Sequence, residues 1–132
     1  MNYLIDTHAL IFFGCGDEHQ IGKKALQIFK NPKSKLFVCQ ISYWEMAIKI
    51  NVGKLTIPIG LKNLMLLTRD AGIELVPVAN QHILHYQSLP VMESHKDPFD
   101  RYLIAAALSE KMKILSRDRI FDGYPGVVRI WE

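Results

Sequence analysis

The sequence predicts an α/β fold in which a central parallel sheet of four to five strands is flanked by helices, within one domain spanning residues 1–132. Short apolar runs typical of buried strands alternate along the chain with segments whose apolar residues recur at helical spacing. Such alternation favours a parallel sheet with both faces covered. Hydrophobic residues make up 49% of the chain and charged residues 22%, which is typical of a globular domain and excludes a disordered chain.

The predicted strands are short and are bounded by turn residues or acids. They cover residues 3–5, 36–39, 75–78, 113–115 and, as a fifth strand, 127–130. Pro77 has no backbone N–H to donate, so it marks either the end of the third strand or an edge of the sheet.

The predicted helices follow from apolar periodicity together with capping and breaking residues. They cover residues 7–13, 17–29, 42–53, 60–70, 80–87 and 98–108. The pattern Ser42-x-x-Glu45 predicts a capping box at the third helix, and Asn80 is expected to cap the fifth. The fourth helix is expected to turn four residues toward the core: Leu61, Leu64, Met65 and Leu67.

The segment Asp97-Pro-Phe-Asp100 opens the last long helix. A residue before proline avoids helical backbone angles and proline favours the first helical position, so Asp97 is predicted as the N-cap. Asp100 then occupies the third helical position, in line with the apolar residues Leu103, Ile104 and Ala107. An acid on a face that packs inward indicates that a positive charge binds there, and we expect a metal ion.

Four acids are expected at one edge of the sheet, where the carboxyl ends of parallel strands meet. Asp6 follows the first strand, Glu45 lies near the start of the helix after the second, and Asp118 follows the fourth. Asp100 joins them only if a loop or short strand carries the start of its helix to this edge.

Each acid also has a local explanation. Asp6, Glu45 and the neighbouring Asp97 suit helix caps, Asp100 suits the third position of a capping box, and Asp118 suits an Asx turn. Together they need a counter-ion. A helix N-terminus favours a negative charge by roughly 0.3–1 kcal/mol, whereas two carboxylates about 4 Å apart repel by ~4 kcal/mol at an effective dielectric near 20. Oxygen ligands favour Mg²⁺ or Mn²⁺ over zinc.

Charge, cysteine content and hydropathy restrict the class of protein. The net charge of +3 is compatible with a nucleic-acid partner without requiring one. Cys15 and Cys39 lack metal-ligand spacing and are expected to be reduced thiols. Neither a signal peptide nor an apolar run of about 20 residues is present, so we expect a cytoplasmic protein without a membrane span.

Five motifs together resemble PIN-domain proteins, and most closely the VapC-type toxins of bacterial toxin–antitoxin pairs. The motifs are Leu4-Ile-Asp-Thr-His-Ala-Leu10, Ser42-x-Trp-Glu-Met-Ala-Ile-Lys49, Gly53-Lys-Leu55, His95-Lys-Asp-Pro-Phe-Asp-Arg-x-Leu-Ile-Ala-Ala106 and Leu115-Ser-Arg-Asp118. Each motif is weak alone, but their order and spacing match the family over essentially the whole chain.

The resemblance implies a Mg²⁺- or Mn²⁺-dependent endoribonuclease that a cognate antitoxin protein holds silent, and it implies a homodimer. It assigns catalysis to Asp6, Glu45, Asp100 and Asp118, with Asp6, Asp97, Asp100 and Asp118 as metal ligands. Asp97 is assigned either direct or water-mediated contact with the metal, or capping alone. Thr7 and Ser116 match polar positions that support the acids. Activated water would hydrolyse RNA to 5′-phosphate and 3′-hydroxyl ends.

Two other classes of function stay open. The fold could serve as a non-catalytic RNA-binding or interaction module, although every acid is retained. A phosphatase or receiver domain also uses an aspartate after the first strand, but His8 stands where such a phosphatase needs a second aspartate.

Several further residues have competing interpretations. We expect His8 to be packed or locally hydrogen-bonded rather than to act as a ligand or base. Arg101 is expected to be an ordinary solvated charge or to bind RNA phosphate, with pairing to a site acid as a further alternative. An aromatic and methionine cluster is expected in the core, with a docking groove for an antitoxin helix as the alternative; it comprises Phe12, Phe13, Trp44 and Met46.

Overall fold

The computed structural model describes residues 1–132 and contains one five-stranded sheet in which every pairing is parallel. The strands are β1 (Asn2–Ile5), β2 (Lys35–Cys39), β3 (Glu74–Val76), β4 (Lys113–Leu115) and β5 (Arg129–Ile130). Their spatial order is β3-β2-β1-β4-β5. The predicted α/β fold with a central parallel sheet is confirmed, and Pro77 follows the last residue of an edge strand.

Six α-helices connect and cover the strands. They are α1 (Thr7–Gly14), α2 (Lys23–Lys30), α3 (Gln40–Asn51), α4 (Leu61–Asp70), α5 (Asn80–Gln87) and α6 (Pro98–Glu110). Two short 3₁₀ helices span Glu18–Gln20 and Arg119–Gly123. None of the helices has the length and apolar character needed to cross a membrane.

The register brings three strand ends to the same edge. Ile5, the last residue of β1, pairs with Val38 of β2 on one side and with Leu115 of β4 on the other. Asp6 and Ser116 follow immediately and therefore lie side by side at this carboxyl edge. The chain adds strands on one side of β1 and then crosses to the other side at β4, so a crevice opens between these two strands.

The core lies on both faces of the sheet. Successive strand residues point to opposite faces, and the fully buried Leu4 and Ile5 accordingly join different hydrophobic clusters. The Ile5 cluster includes Leu64 of α4, and the Leu4 cluster includes Ile104 of α6. Burial on both faces explains why β1 appears in the sequence as a continuous apolar run.

Two predicted helix caps are wrong. Helix α3 begins at Gln40 after Cys39, so Ser42 lies inside the helix, where its buried hydroxyl has no hydrogen-bond partner. Asn80 is the first residue of α5 rather than its cap. Helix α3 continues directly from β2, so the pairing of that strand places the start of the helix. At α5 the N-cap position falls on Ala79, whose methyl group cannot accept a capping hydrogen bond.

The predicted helix over 17–29 is interrupted. A 3₁₀ helix ends at Gln20, and α2 begins only after Gly22, because the backbone of Trp131 crosses at that point. A Cβ atom on Gly22 would lie 2.1 Å from the Trp131 carbonyl oxygen, and the N–H of Ala25 donates to that oxygen at 3.1 Å. The position of Trp131, directly after the last strand, therefore sets the start of α2.

The predicted inner face of α4 is only partly correct. Leu64 is fully buried, but Met65 and Leu67 have 38% and 40% of their surface exposed. The helix is covered on one side only, so its apolar stripe extends beyond the core onto the surface.

Candidate active site

A cavity of about 470 Å³ collects the predicted acids at the carboxyl edge of the sheet, and none of its lining residues is hydrophobic. Its lining comprises Asp6, His8, Glu45, Lys49, Asp97, Asp100, Arg117, Asp118 and Arg119. The loop before α6 brings Asp97 and Asp100 to the ends of β1 and β4, which supplies the placement that the sequence could not derive. Five carboxylates thus face four basic side chains in a single pocket.

Asp6 and Asp118 are linked through Ser116. Asp6 caps α1 by accepting a hydrogen bond from the Ala9 N–H at 2.8 Å, and its other oxygen accepts from the Ser116 hydroxyl. The same hydroxyl oxygen accepts from the N–H of Asp118 at 3.0 Å. Burial raises the pKa of Asp6 above its usual value, and the negative charge of Asp118 adds to the increase.

Asp97 and Asp118 each use one carboxylate oxygen to cap a helix. Asp97 Oδ1 accepts from the N–H groups of Phe99 and Asp100 at 2.9 and 3.2 Å. Asp118 Oδ1 accepts from the Ile120 N–H at 3.0 Å and so caps the second 3₁₀ helix. The Oδ2 atom of each residue accepts no hydrogen bond from the chain, so capping leaves one oxygen available for a ligand.

Glu45 is buried and fully hydrogen-bonded. The Thr7 hydroxyl donates to Oε1 at 2.7 Å, and the Lys49 ammonium, one turn further along α3, donates to Oε2 at 2.8 Å. This bond to Glu45 raises the pKa of Lys49 above its usual value, and the negative charges of Asp97 and Asp100 add to the increase. Lys49 therefore supplies a positive charge inside the cavity.

The charged form of the Asp100 carboxyl group is destabilised by its surroundings. Burial, together with the negative charges of Asp97 and Glu45, raises its pKa to about 6. A hydrogen bond between its Oδ2 and His95 Nε2, 3.2 Å apart, acts in the opposite direction. Because its side chain is only 25% exposed, water screens this repulsion poorly.

The side chains of the cavity are chemically suited to a hard divalent cation, because the acids all offer oxygen ligands. A cation would also reduce the repulsion that contributes to the raised pKa values of Asp6 and Asp100. However, no three His, Cys, Asp or Glu side chains already form a closed metal-binding group.

The basic residues of the cavity differ from the expectations. His8 is exposed on the cavity wall, so the prediction of a packed or locally bonded side chain is wrong. The guanidinium of Arg117 stacks 5.1 Å from the centre of the Phe12 ring, and Arg119 lies 3.4 Å from Glu132. Both arginines also line the cavity, where they can contact an anion.

Arg101 is not a solvated charge, does not line the cavity and pairs with no acid, so all three interpretations from the sequence are wrong. It is buried and donates to the Pro90 carbonyl at 3.0 Å and to the Tyr124 hydroxyl at 2.9 Å. Tyr124 in turn lies 2.8 Å from His95 Nδ1. His95 and Tyr124 were not predicted from the sequence as site residues, although His95 stands only five positions before Asp100.

The aromatic and methionine cluster is divided between core and surface. Met46 is fully buried, whereas Trp44 is 61% exposed and meets the Phe99 ring edge-on, with the ring centroids 5.7 Å apart. Trp44 also lines an apolar groove of about 730 Å³, which we call the α3–α4 groove. Its apolar lining includes Val38, Ile41, Trp44, Leu61, Met65 and Leu66.

Solved structures of similar fold include three described as toxin–antitoxin or VapBC proteins. VapBC2 from Rickettsia felis, bound to a DNA fragment from the promoter, matches with a TM-score of 0.70 and 13% identity over 100% of both chains. DNA-bound VapBC from Salmonella typhimurium matches with a TM-score of 0.63 and 17% identity, covering 98% of this chain and 97% of the other. VapBC-1 from nontypeable Haemophilus influenzae matches with a TM-score of 0.56 and 20% identity over the same shares.

At this level of identity the three structures establish similarity of fold. Comparison with curated proteins gives no sequence match. The model of the PIN domain family, in contrast, matches residues 3–127, which includes every acid of the cavity. The chain therefore belongs to the PIN domain family.

Proposed function

We propose that this chain is a Mg²⁺- or Mn²⁺-dependent endoribonuclease and the toxin of a toxin–antitoxin pair. The observation that carries the proposal is the cavity at the ends of β1 and β4, where five carboxylates meet without a hydrophobic neighbour. The five acids outnumber the basic side chains of the pocket and favour a cation there, and oxygen ligands favour Mg²⁺ or Mn²⁺. The family to which the chain belongs supports nuclease chemistry at this place.

The residues of the cavity divide the work between metal binding and substrate binding. We assign Asp6, Asp97, Asp100 and Asp118 to holding the ion and Asp6, Glu45, Asp100 and Asp118 to catalysis. When bound, a divalent ion would polarise the phosphodiester and make water more acidic.

The positive side chains of the cavity suit the substrate. Lys49, Arg117 and Arg119 would bind and orient RNA phosphates, since all three line the same pocket as the acids. Thr7 and Ser116 hold the carboxylates of Glu45 and Asp6 in place through their hydroxyl groups. Hydrolysis would leave 5′-phosphate and 3′-hydroxyl ends.

An RNA cleavage assay tests the proposed chemistry. Wild-type protein should cut RNA when Mg²⁺ or Mn²⁺ is added and should stop when EDTA is added, while Asp100→Asn should be inactive and remain folded. Asp70→Asn, an exposed acid outside the cavity, is the matched control and should cut like the wild type. Cleavage that persists in EDTA, or products with 2′,3′-cyclic phosphates, would contradict the proposal.

A non-catalytic RNA-binding module is the second candidate. It is favoured by the absence of a closed metal-binding group and by the ion pair between Lys49 and Glu45, which neutralises one acid without a metal. The same assay separates the two: a module of this kind would bind RNA without cutting it at any concentration of Mn²⁺.

The toxin assignment rests on the fold and on one surface. The structures of similar fold include VapBC and toxin–antitoxin complexes, and the α3–α4 groove offers an apolar surface that an antitoxin helix could cover. Expression of wild type and Asp100→Asn in bacterial cells, followed by mapping of RNA 5′ ends, tests this role. Growth arrest with discrete cuts is expected for the wild type alone.

The assembly and location are part of the same proposal. We expect the protein to be cytoplasmic. We also expect a homodimer, because large apolar side chains are exposed on and around β3 and α5, among them Leu75, Val78, Ile83 and Leu84. Light scattering of the purified protein would report the mass of the particle, and a monomer at micromolar concentration would contradict the dimer.

A further inference from the structure

A chain of hydrogen bonds runs from the buried Arg101 to the carboxylate of Asp100. Arg101 lies 2.9 Å from the Tyr124 hydroxyl, which lies 2.8 Å from His95 Nδ1, and His95 Nε2 lies 3.2 Å from Asp100 Oδ2. Arg101, Tyr124 and His95 are all buried, so water does not compete for these bonds. Of the residues in this series of hydrogen bonds, only Asp100 lines the cavity itself.

The direction of this chain follows from counting donors. A guanidinium can only donate, so the Tyr124 oxygen accepts from Arg101. The single hydroxyl hydrogen of Tyr124 then has one remaining partner, His95 Nδ1. A nitrogen that accepts carries no hydrogen, so neutral His95 has its hydrogen on Nε2 and donates it to Asp100.

The reverse arrangement would leave a buried polar group without a partner. If Nδ1 carried the hydrogen, the Tyr124 oxygen would accept from both neighbours and its own hydrogen would have nowhere to go. An unsatisfied buried donor is costly.

The Arg101 side chain, at the start of this series of hydrogen bonds, is held in a fixed position. Arg101 is held by the Pro90 carbonyl at 3.0 Å and by the Tyr86 and Tyr124 rings, whose centres lie 5.4 and 5.8 Å from the guanidinium carbon. The His95 ring packs edge-on against Phe121 and Tyr124, and its backbone N–H donates to the Met92 carbonyl at 3.2 Å. The imidazole therefore has little freedom to turn.

We propose that Tyr124 and His95 are positioning residues for Asp100. Through the ordered bonds Arg101–Tyr124–His95, they keep the imidazole hydrogen on Nε2 and hold Asp100 Oδ2 against it. The other oxygen, Asp100 Oδ1, accepts no hydrogen bond from the rest of the protein and stays available to a ligand in the cavity. The consequence for metal binding rests on the function proposed above, whereas the hydrogen-bond order does not.

Nuclear magnetic resonance of ¹⁵N-histidine in metal-free protein at neutral pH tests the order directly. A neutral ring with its hydrogen on Nε2 gives two widely separated nitrogen signals, of which only the Nε2 signal couples strongly to a directly bonded hydrogen. We expect this pattern for His95, assigned by its disappearance in His95→Gln. A hydrogen on Nδ1, or a doubly protonated ring, would overturn the proposal without any variant.

Tyr124→Phe tests the link to Asp100. Loss of the hydroxyl should average the two His95 nitrogen signals and weaken binding of Mn²⁺, measured by calorimetry, by about 10–100-fold, the usual effect of a residue that orients a metal ligand. Tyr102→Phe is the matched control, because its hydroxyl contacts Ala79 and His82 instead. It should alter the signals of His82, leaving those of His95 and the affinity for Mn²⁺ unchanged.

A conservative variant at His95 distinguishes positioning from packing. The side-chain amide of glutamine can replace the Nε2 hydrogen toward Asp100, so His95→Gln should bind Mn²⁺ more tightly than His95→Ala. Equal affinities in these two variants, or equal affinities in Tyr124→Phe and Tyr102→Phe, would overturn the positioning role. If the wild type binds no Mn²⁺ at all, the proposed function fails, but the histidine signals still decide the hydrogen-bond order.

Discussion

Asp97 illustrates how one residue can serve the helix and the cavity together. Its Oδ1 caps α6, while its Oδ2 accepts no hydrogen bond from the protein, and the residue lines the acidic cavity. Asp118 has the same division between its two oxygens. Capping and ligand binding, which appear in the sequence as alternatives, are therefore compatible at a single carboxylate.

Substitutions of Asp97 should separate these two roles. Asn caps a helix about as well as Asp, so Asp97→Asn should preserve stability, whereas Asp97→Ala should lower it by about 1 kcal/mol. Both variants lose the negative charge and should weaken binding of Mn²⁺ to a similar degree. Urea unfolding and calorimetry measure the two effects. Unchanged affinity for Mn²⁺ in both variants would leave Asp97 with capping alone.

The raised pKa of Asp100 predicts how the apo protein responds to pH. Its pKa is about 6 in the folded chain and 3.8 in the absence of the fold, so the folded state binds more protons between these two values. By linkage, the contribution of Asp100 to stability is greatest below about pH 3.8 and is lost as pH rises through 6. Asp100→Asn should remove this loss. Urea unfolding of both proteins from pH 4 to 7 measures the difference.

The affinity for a divalent ion should change with pH in the opposite sense. A carboxylic acid must lose its proton to hold a cation, so binding of Mn²⁺ to the wild type should strengthen as pH rises through about 6. Calorimetry at several pH values measures this. An affinity that stays constant from pH 5 to 7 would mean that Asp100 is not a ligand.

At the level of single residues, the sequence predicted which acids meet but not what surrounds them. Asp6 and Asp118 could be found because each follows a strand, whereas the placement of Asp100 at the same edge depends on the loop before α6. The partnership of Lys49 with Glu45 and the burial of Arg101 depend on which way a side chain turns from its helix. That direction is set by neighbours distant in sequence, such as Thr7 and Tyr124.

At the level of helices and strands, Gly22 shows how tertiary packing determines a helix start. Gly22→Ala should destabilise the fold, because its Cβ would meet the Trp131 carbonyl oxygen at 2.1 Å and backbone cannot easily move away. We expect a loss of about 1–3 kcal/mol, as for other overpacked positions. Gly123→Ala is the control, since its nearest neighbour lies 4.0 Å away, and thermal unfolding compares the two. Equal stability of both variants would contradict the role given to Trp131.

The errors in the predicted elements have the same physical origin. Ser42-x-x-Glu45 fits a capping box by residue type, but α3 continues directly from β2, and Glu45 bonds with Thr7 and Lys49 instead. Local propensity amounts to about 1 kcal/mol per cap, which long-range packing and buried polar bonds can exceed. Strands were easier to predict, because burial on both faces leaves an apolar run that is visible in the sequence.

At the level of the whole molecule, the cavity links stability to ion binding. A ligand that binds only the folded state stabilises it, by about 2.7 kcal/mol at a concentration 100 times its Kd. Mn²⁺ should therefore raise the melting temperature of the wild type and of Asp70→Asn, and should raise that of Asp100→Asn much less. Scanning calorimetry measures these shifts. Equal shifts in all three proteins would indicate binding elsewhere.

The general architecture was accessible from the sequence because alternating strands and helices admit few arrangements. The order of the strands was not, since β4 could pair on either side of β1 as far as local pattern is concerned. The order β3-β2-β1-β4-β5 is what brings Asp118 beside Asp6 and leaves the crevice between β1 and β4.

The bond between Ser116 and Asp6 joins residues 110 positions apart in the chain. A ribosome builds the polypeptide from its amino end, so Asp6 emerges from the exit tunnel long before Ser116 has been translated. The acidic pocket cannot assemble on a nascent chain that lacks β4 and the residues just after it. Whatever activity the pocket has is thus withheld from the translation machinery until synthesis has passed that point.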